Sequence, residues 1–314
     1  MEELLHKVDL LKENLNRVII GKGKQIEYII AALIADGHVL LEDLPGTGKT
    51  MLAKSLAKSL NGSFSRIQFT PDLLPNDIIG IHYYNQKNQD FQWRPGPIHA
   101  NIVLADELNR TTPRSQSALL EAMAEKQATV DGKLIKLPYP FFVVATQNPI
   151  ETEGTFPLPE AQLDRFMIKL SLGYPTEEEE MNIIFRYIEE NPLDNLEAVI
   201  SIEEILELQK EVKKIHLEQE LAQYITKGLA MMRSHTEIEV GPSSRAALAL
   251  VRFSQSLALL RGRQFVIPED IQEAVLPVLE HRIILGMNTS LQKMTKDVLE
   301  EIMEKVPVPL EDIG

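Results

Sequence analysis

A glycine-rich segment, GTGKT at residues 46–50, follows an apolar run at residues 39–41 and precedes a helix-forming run at residues 51–60. This order predicts a phosphate-binding loop, because glycines let backbone N–H groups turn toward phosphate oxygens and a helix N-terminus favours negative charge. Lys49 would then reach the β- and γ-phosphates, and Thr50 would bind Mg²⁺. The other candidate nucleotide-binding residues of this segment are Pro45, Gly46, Thr47, Gly48 and Met51.

The bulk properties fit a globular chain of two modest domains. The 314 residues are 44% hydrophobic and 25% charged, and none is cysteine, which excludes disulfides, thiolate metal sites and a thiol nucleophile. No apolar run approaches the ~20 residues of a transmembrane helix, and no signal-peptide pattern follows the acidic N-terminus, so we expect a cytoplasmic protein without membrane insertion. The net charge of −14 and the lack of a Lys/Arg-rich cluster argue against nucleic acid as the main ligand. Assembly could still create a local basic channel.

Nearly continuous apolar runs predict a parallel sheet that is covered on both faces. The predicted strands are residues 39–41, 64–69, 102–105, 141–145 and 166–172. Helical patterns, such as those at residues 2–18 and 24–35, alternate with these strands. We therefore predict an α/β fold of the P-loop type, in which helices lie on both faces of a parallel sheet.

Past residue 174 the pattern changes to helices alone. We predict a nucleotide-binding α/β domain at residues 1–174 and an all-helical lid domain at residues 175–314. The predicted lid helices include residues 203–215, 219–233, 244–260, 268–285 and 295–305. Thr176 and Glu179 fit a capping box, so the acidic run at residues 177–180 is predicted to be the first turn of another helix.

Two inserted stretches of the first domain have hairpin character. Residues 81–97 are polar and aromatic, and residues 128–137 contain the turn-forming pair Asp131 and Gly132. Both could be surface hairpins that pack on the domain, or both could reach toward a partner or a central pore. The sequence leaves these alternatives open.

Polar residues follow two of the predicted strands. Asp106 and Glu107 end the third strand, where a P-loop ATPase needs a carboxylate for Mg²⁺ and a second one to take a proton from the attacking water. Asn148 ends the fourth strand, where an amide could orient that water or contact the γ-phosphate. The alternatives are a solvated acidic pair and an ordinary Asn-Pro turn.

Two arginines are candidates for stabilising charge on the transferring phosphoryl group. Arg165 could act on ATP, often from a neighbouring subunit, or it could simply pair with Asp164 or Glu160. Arg245 opens a helix of the second domain, where a cation is slightly unfavourable against the helix dipole. It could fold back onto the γ-phosphate and couple the lid angle to the nucleotide state.

With these motifs the chain resembles the AAA+ ATPases, and specifically the MoxR family, over nearly its whole length. The segments that carry the resemblance are EDLPGTGKT (42–50), RIQFTPDLLP (66–75), GPI (96–98), DELNR (106–110), QSALLEAM (116–123), ATQNP (145–149) and EAQLDRF (160–166). Asp43 replaces the first glycine of the G-x-x-x-x-G-K-[ST] pattern, a departure that is typical of this family. In GPSSRA (241–246), Pro242 and Ser244 depart from the residues that the family often has, and Arg245 is matched.

The resemblance implies roles for the site residues. Lys49 and Thr50 would bind phosphates and Mg²⁺, Asp106 would bind Mg²⁺, and Glu107 would act as the base. Asn148, Arg165 and Arg245 would be the strand sensor, the arginine finger and the lid sensor. Ile19, Ile20 and Gly21 would line the adenine. The implied assembly is a homo-oligomeric ring, usually a hexamer, with ATP sites between subunits.

The resemblance also implies chaperone-like work: ATP-driven remodelling, maturation or metal-cofactor insertion of a protein client, commonly with a partner that has a von Willebrand factor A domain. Two alternatives stay open. One is a nucleotide-gated scaffold with negligible hydrolysis, and the other is a DNA-dependent AAA+ motor, against which the acidic charge balance argues.

Overall fold

The computed structural model describes residues 1–44, 46–149 and 154–309 of the chain. The helices are α1 (Glu2–Val18), α2 (Gly23–Ile34), α3 (Lys49–Ser59), α4 (Pro75–Ile79), α5 (Pro113–Glu125), α6 (Glu160–Leu163), α7 (Glu177–Glu189), α8 (Ile202–Val212), α9 (Gln219–Ser234), α10 (Ser244–Leu260), α11 (Pro268–Leu279), α12 (Met287–Ser290) and α13 (Thr295–Glu304). The strands are β1 (Val39–Glu42), β2 (Phe64–Gln68), β3 (Gly80–Asn85), β4 (Asp90–Pro95), β5 (Ile102–Asp106), β6 (Gln127–Val130), β7 (Lys133–Lys136), β8 (Phe142–Gln147), β9 (Ile168–Leu170), β10 (Ile238–Val240) and β11 (Ile284–Leu285).

Five strands form one parallel sheet in the order β2-β5-β8-β1-β9. Alternate residues of each strand face opposite sides, as strand geometry requires. Val39 and Leu41 pack in one hydrophobic cluster with α1, α2 and α3, whereas Leu40 packs in a second cluster with α5. Helices therefore cover both faces, and the predicted α/β fold of the P-loop type is confirmed.

The fifth strand is shorter than the predicted 166–172 because side chains and loops take its flanking backbone groups. The Phe166 carbonyl accepts hydrogen bonds from the Arg282 and His281 side chains, at 2.6 and 3.1 Å. At the other end, the Leu172 N–H donates to the carboxylate of Asp43 at 2.8 Å. Only Ile168–Leu170 therefore pair with β1 in the sheet.

Both inserted stretches form antiparallel hairpins. β3 pairs with β4, and β6 pairs with β7 around Asp131 and Gly132. The Nδ1 atom of His82 lies 2.8 Å from an Asp131 carboxylate oxygen, so the two hairpins contact each other. Contact with a partner or a pore stays a prediction.

The chain after β9 is mainly helical, and a short antiparallel pair, β10 with β11, was not predicted. The predicted helix at 268–285 ends early, at Leu279, because His281 and Arg282 turn toward the end of the sheet and Leu285 pairs with Ile238. In α7, the Thr176 hydroxyl accepts from the Glu179 N–H, as the capping box predicted. The division into domains at residue 174 stays a prediction. No helix in the described ranges has the length and apolar character to cross a membrane.

Candidate nucleotide-binding site

The glycine loop joins the carboxyl end of β1 to the start of α3. Gly46 and Gly48 have φ angles of +88° and +87°, a left-handed conformation that side chains other than glycine rarely adopt. Ile19 packs beside the loop, since its Cδ1 atom lies 3.4 Å from the position that a Cβ on Gly48 would take. Pro45, another predicted binding residue, lies outside the described residues.

Lys49 and Asp43 fix the shape of this loop. The Lys49 ammonium donates to the carbonyl oxygens of Asp43 and Leu44, at 3.0 and 3.3 Å. The Asp43 carboxylate accepts from the Ser171 hydroxyl at 2.7 Å and from the Gly173 N–H at 2.9 Å, besides its bond to Leu172. Asp43 therefore anchors the loop to the chain that leaves β9. A phosphate would give the Lys49 ammonium a charged acceptor in place of neutral carbonyls.

Asp106 is a buried carboxylate at the end of β5. One of its oxygens accepts from the Thr146 hydroxyl at 2.7 Å. The other accepts from Arg66 Nη2 at 2.6 Å and Nε at 3.1 Å. Arg66 lies on β2, the neighbouring strand, so a cation from the protein is already paired with the carboxylate that is predicted to hold Mg²⁺.

Glu107 has an unusual backbone conformation and a constrained side chain. Its φ angle is +58°, which is uncommon for a residue with a Cβ and is often found at functional sites. Its N–H donates to the Thr146 hydroxyl at 2.9 Å, and its carboxylate accepts from Gln68 Nε2 at 2.7 Å. Arg110 Nη1 lies 3.4 Å from the same carboxylate oxygen.

One cavity of about 390 Å³ collects these groups. Its lining residues are Gly46, Gly48, Lys49, Thr50, Met51, Arg66, Asp106, Glu107 and Asn148. The hydroxyl of Thr50 and the carboxylate of Asp106 are the hard oxygen donors that Mg²⁺ prefers. Within the described ranges no three His, Cys, Asp or Glu side chains are grouped to hold a metal ion. A magnesium ion bound by Thr50, Asp106, phosphate oxygens and water needs no such group, so the residues present fit it.

The other predicted binding residues lie beside this cavity. Thr47 lines an adjacent cavity of about 290 Å³ together with Tyr174 and other residues that follow β9. Gly21, with φ +74°, is closely approached by the carboxylate of Glu179. Lys22 donates to the Tyr174 carbonyl at 3.1 Å. The segment of Ile19, Ile20 and Gly21 thus lies between the glycine loop and the first lid helix.

Arg165 and Arg245 line a separate cleft of about 320 Å³, which we call the arginine cleft. Its lining residues are Asp36, Gly37, His38, Met123, Ala124, Lys126, Asp164, Arg165, Met167, Arg245, Leu248, Ala249, Arg252 and Arg282. His38 directly precedes β1, whereas the glycine loop follows that strand. The arginine cleft therefore lies at the amino ends of the strands, and the nucleotide cavity lies at their carboxyl ends. Four strand residues span about 13 Å. The structure therefore does not support the expectation that Arg245 folds back onto the γ-phosphate of its own chain.

Among the described residues, Arg165 forms no ion pair with a neighbouring carboxylate. Asp164 is bonded to Arg282 Nε at 2.6 Å and to the Ser243 hydroxyl at 3.0 Å. Arg165 instead donates from Nη1 to the Leu120 carbonyl at 2.6 Å, and its buried Nε has no hydrogen-bond partner in the described structure. The alternative in which Arg165 pairs with Asp164 is thus wrong.

Comparisons with known proteins identify the family. The family model of the ATPases associated with various cellular activities (AAA) matches residues 38–168, and that of the AAA lid domain matches residues 230–302. The chaperone MoxR1 of Mycobacterium tuberculosis is 38% identical over 315 residues, which cover 97% of this chain and 83% of MoxR1. The chain belongs to the MoxR family of AAA+ ATPases. The uncharacterized YeaC protein of Bacillus subtilis is 48% identical, over 95% of this chain and 94% of YeaC.

A solved structure supports the same assignment. The crystal structure of a candidate ATPase from Cytophaga hutchinsonii superimposes with a TM-score of 0.92 at 38% identity, and covers 98% of this chain and 96% of that one. MoxR membership makes nucleotide binding a property of this fold.

Sequence reasoning missed three residues of this MoxR site. They are Arg66 and Gln68 on β2, which contact the two strand-end carboxylates, and Thr146 on β8, whose hydroxyl bridges the Asp106 carboxylate and the Glu107 N–H. The one available signal was polarity, because Arg66 and Gln68 interrupt the apolar pattern of a predicted strand. The polarity of Arg66 and Gln68 did not predict which carboxylates they contact, since this depends on which strand lies next to β2.

Proposed function

We propose that this MoxR-family chain hydrolyses ATP in the presence of Mg²⁺ and uses the energy to remodel or mature a protein client, or to insert a metal cofactor into it. The observation that carries the proposal is the single cavity lined by Lys49, Thr50, Asp106, Glu107 and Asn148. These residues combine a phosphate-binding cation, two Mg²⁺ ligands, a base and an amide in one place. That combination is what phosphoryl transfer to water requires.

Each residue then has a defined task. Lys49 would leave the loop carbonyls to bind the β- and γ-phosphates, and Thr50 and Asp106 would hold Mg²⁺, which would supply positive charge to neutralise developing phosphate charge. Glu107 accepts the proton of the attacking water, and Asn148 orients that water. Ile19, Ile20 and Gly21 are proposed to contact the adenine, and Pro45, Gly46, Thr47, Gly48 and Met51 the rest of the nucleotide.

Arg165 and Arg245 are proposed to act on the ATP of a neighbouring subunit. The support is their position in a separate cleft, at the end of the sheet strands opposite the glycine loop. A homo-oligomer, and a hexameric ring in particular, would bring the two ends together. A guanidinium supplied by a neighbour accelerates other P-loop enzymes by roughly 10³–10⁵-fold.

The partner and location are also proposals. A client protein, a partner with a von Willebrand factor A domain and a cytoplasmic location rest on the family resemblance. The boundary between a nucleotide-binding domain at residues 1–174 and a lid at residues 175–314 has the support of the two family models, which match on either side of it. The relative MoxR1 bears the name of a chaperone.

The test is ATP turnover per subunit as a function of protein concentration, with the Glu107→Gln variant as the control. A rate that rises with concentration and is lost in the variant is the expected result. A rate unaltered by Glu107→Gln would instead assign the chain as a nucleotide-gated scaffold. Stimulation by single- or double-stranded DNA would favour a DNA-dependent motor.

A further inference from the structure

Helix α7 carries an apolar stripe that the chain leaves uncovered. Met181, Ile184, Phe185 and Ile188 follow one another at the spacing of one helix face, and their exposed fractions are 52%, 54%, 61% and 73%. Such a stripe normally packs against a core. Contiguous exposed apolar surface of this kind commonly marks an interaction site.

The first turn of α7 adds negative charge to the same helix. Glu179 is occupied, because it caps the helix with Thr176 and lies 3.6 Å from the Lys22 ammonium. Glu177, Glu178 and Glu180 are exposed and have no basic partner among the described residues. Glu177 lies four residues before Met181, so the apolar stripe begins with a carboxylate. We call these three carboxylates and the apolar stripe together the α7 face.

The arginine cleft has the opposite character. Two of its cations are neutralised, since Lys126 pairs with Asp36 and Arg282 pairs with Asp164. Arg165, Arg245 and Arg252 remain, and in the described part of the chain none of them has a carboxylate partner.

One face of α10 within this cleft combines charge with apolar surface. Leu248 lies three residues after Arg245 and four before Arg252, so the three side chains share a helix face. Leu248 is 69% exposed and forms part of the cleft wall. The cleft therefore presents an exposed apolar side chain beside arginines that have no carboxylate partner among the described residues. The α7 face presents an apolar stripe that begins beside carboxylates without a basic partner in the same part of the chain.

We propose that the α7 face of one subunit docks into the arginine cleft of a second copy of this chain. In this contact Ile184 and Ile188 pack against Leu248, and the carboxylates of the first α7 turn pair with Arg252. Arg165 and Arg245 are then left free to reach the nucleotide of the subunit that contributes α7. The inference rests on the proposed function in this last respect.

The position of α7 supplies an independent reason for this pairing. Its first turn adjoins the nucleotide site, because Glu179 packs against Gly21 and Tyr174 shares a cavity with Thr47. A neighbour that brings Arg165 and Arg245 to that site brings its α10 helix toward α7. The two faces are different surfaces of one chain, so the contact is head-to-tail, and its repetition forms a ring where the rotation between subunits closes.

The first experiment compares the assembly of three single variants by sedimentation velocity with ATP and Mg²⁺. Ile184→Glu introduces like charge into the α7 face, and Leu248→Glu disrupts the cleft wall. Leu291→Glu is the matched control, because Leu291 is 82% exposed but lies on neither surface. We expect the first two variants to need at least tenfold more protein to assemble, and the control to assemble as the wild type does. Thermal unfolding checks that each variant is folded.

The second experiment mixes the two defective variants. Each retains one intact surface, so Ile184→Glu chains supply clefts and Leu248→Glu chains supply α7 faces. At a protein concentration at which the wild type assembles, we expect each variant alone to be monomeric and the mixture to form dimers that grow no further. Assembly of either single variant at that concentration, a mixture that stays monomeric, or a wild-type chain that is monomeric at every concentration would overturn the proposal.

ATP turnover by the mixed dimer separates this inference from the proposed function. The one complete site should use the glycine loop of the Leu248→Glu chain and the arginines of the Ile184→Glu chain. Arg165→Ala should therefore abolish turnover when it is added to the Ile184→Glu chain and have no effect when it is added to the other. A dimer that forms as expected but hydrolyses no ATP supports the docking surfaces and counts against the proposed hydrolysis.

Discussion

Thr146 connects the carboxylate of Asp106 to the backbone of Glu107, the two residues on which the proposed reaction depends. Its buried hydroxyl donates to Asp106 and accepts from the Glu107 N–H, so it fixes both the Mg²⁺ ligand and the backbone of the base. A hydroxyl can do both at once because it carries one proton and two lone pairs. The register of β8 against β5 brings this side chain to Asp106.

We expect Thr146→Val to lower ATP turnover by roughly 10–100-fold, the usual effect of removing a group that orients a metal ligand. Valine keeps the shape of threonine but offers neither the donor nor the acceptor. Thr146→Ser keeps both and is the matched control, with turnover within a few-fold of the wild type. Steady-state turnover at saturating ATP and varied Mg²⁺ measures the effect. Equal rates in all three proteins would exclude the orienting role.

His38 is a buried residue whose charge state depends on folding. Its Nδ1 accepts from the Val143 N–H at 3.1 Å, so Nε2 carries the proton that is shared with the Met123 carbonyl at 3.2 Å. Burial lowers the pKa of His38 from its ordinary value of 6.5 to about 4. Between these two values the unfolded chain binds a proton that the folded chain does not, so this residue lowers stability as the pH falls.

We expect His38 to remove about 2 kcal/mol from the free energy of unfolding between pH 7 and pH 5. The His38→Asn variant lacks the titrating group, so its stability should fall less over the same interval, even if it is lower at pH 7. Burial also lowers the pKa of His281, but that residue is present in both proteins and its effect cancels in the comparison. Urea unfolding at the two pH values provides the measurement, and equal losses in the two proteins would contradict the assignment.

At the scale of elements, the glycine loop is held by a contact between two strands that are distant in sequence. Asp43 follows β1, and its three hydrogen-bond donors, Ser171, Leu172 and Gly173, follow β9. β1 and β9 are neighbours in the sheet, so their ends meet. An aspartate in place of the first loop glycine therefore connects the loop to the segment that follows β9.

We expect Asp43→Asn to destabilise the fold by about 1–3 kcal/mol and to weaken ATP binding. An amide has one acceptor oxygen for three donors and presents its own donors to buried N–H groups. Ser171→Ala removes only one of the three bonds and should cost less. Chemical unfolding with and without nucleotide compares the variants. If Ser171→Ala proved as damaging as Asp43→Asn, the anchoring role of the carboxylate would be wrong.

The predictable part of the site followed from local sequence, and the missed part depends on strand order. Lys49, Asp106 and Asn148 each follow an apolar run, so a parallel sheet had to bring them to one edge. The contact of Gln68 with Glu107 arises because β2 pairs with β5, with Gln68 opposite Asp106. The sequence of either strand alone does not predict that β2 pairs with β5.

Contacts made by the helical part of the chain were also not predictable from local sequence, because they join residues that are far apart in the chain. Asp164 is bonded to Arg282, 118 residues away, rather than to the adjacent Arg165. This contact depends on how the end of α11 packs against β9, which a helical pattern does not specify. The pattern predicted 268–285 as one helix, whereas the backbone turns at Glu280–Arg282 so that His281 and Arg282 can reach Phe166.

At the scale of the whole molecule, the two sets of candidate catalytic groups lie at opposite edges of one sheet. Glu107 lines the nucleotide cavity, and Arg165 lines the arginine cleft. Within one chain, the parallel sheet separates the two cavities. If both act on one ATP, hydrolysis is a property of the assembly, and defects in the two residues should complement each other in mixed oligomers.

We expect Arg165→Ala and Glu107→Gln each to abolish turnover alone and to recover activity when mixed. In a random one-to-one mixture about a quarter of the head-to-tail interfaces combine an intact Glu107 with an intact Arg165, so recovery should approach about a quarter of the wild-type rate. ATP binding should persist in both variants, since neither change removes Lys49. Turnover measured across mixing ratios should peak near equal amounts. A doubly substituted chain mixed with either single variant is the control, because no interface in those mixtures combines an intact Glu107 with an intact Arg165, and turnover should stay at background. Turnover that stays at background at every ratio would show that the two residues do not share a site.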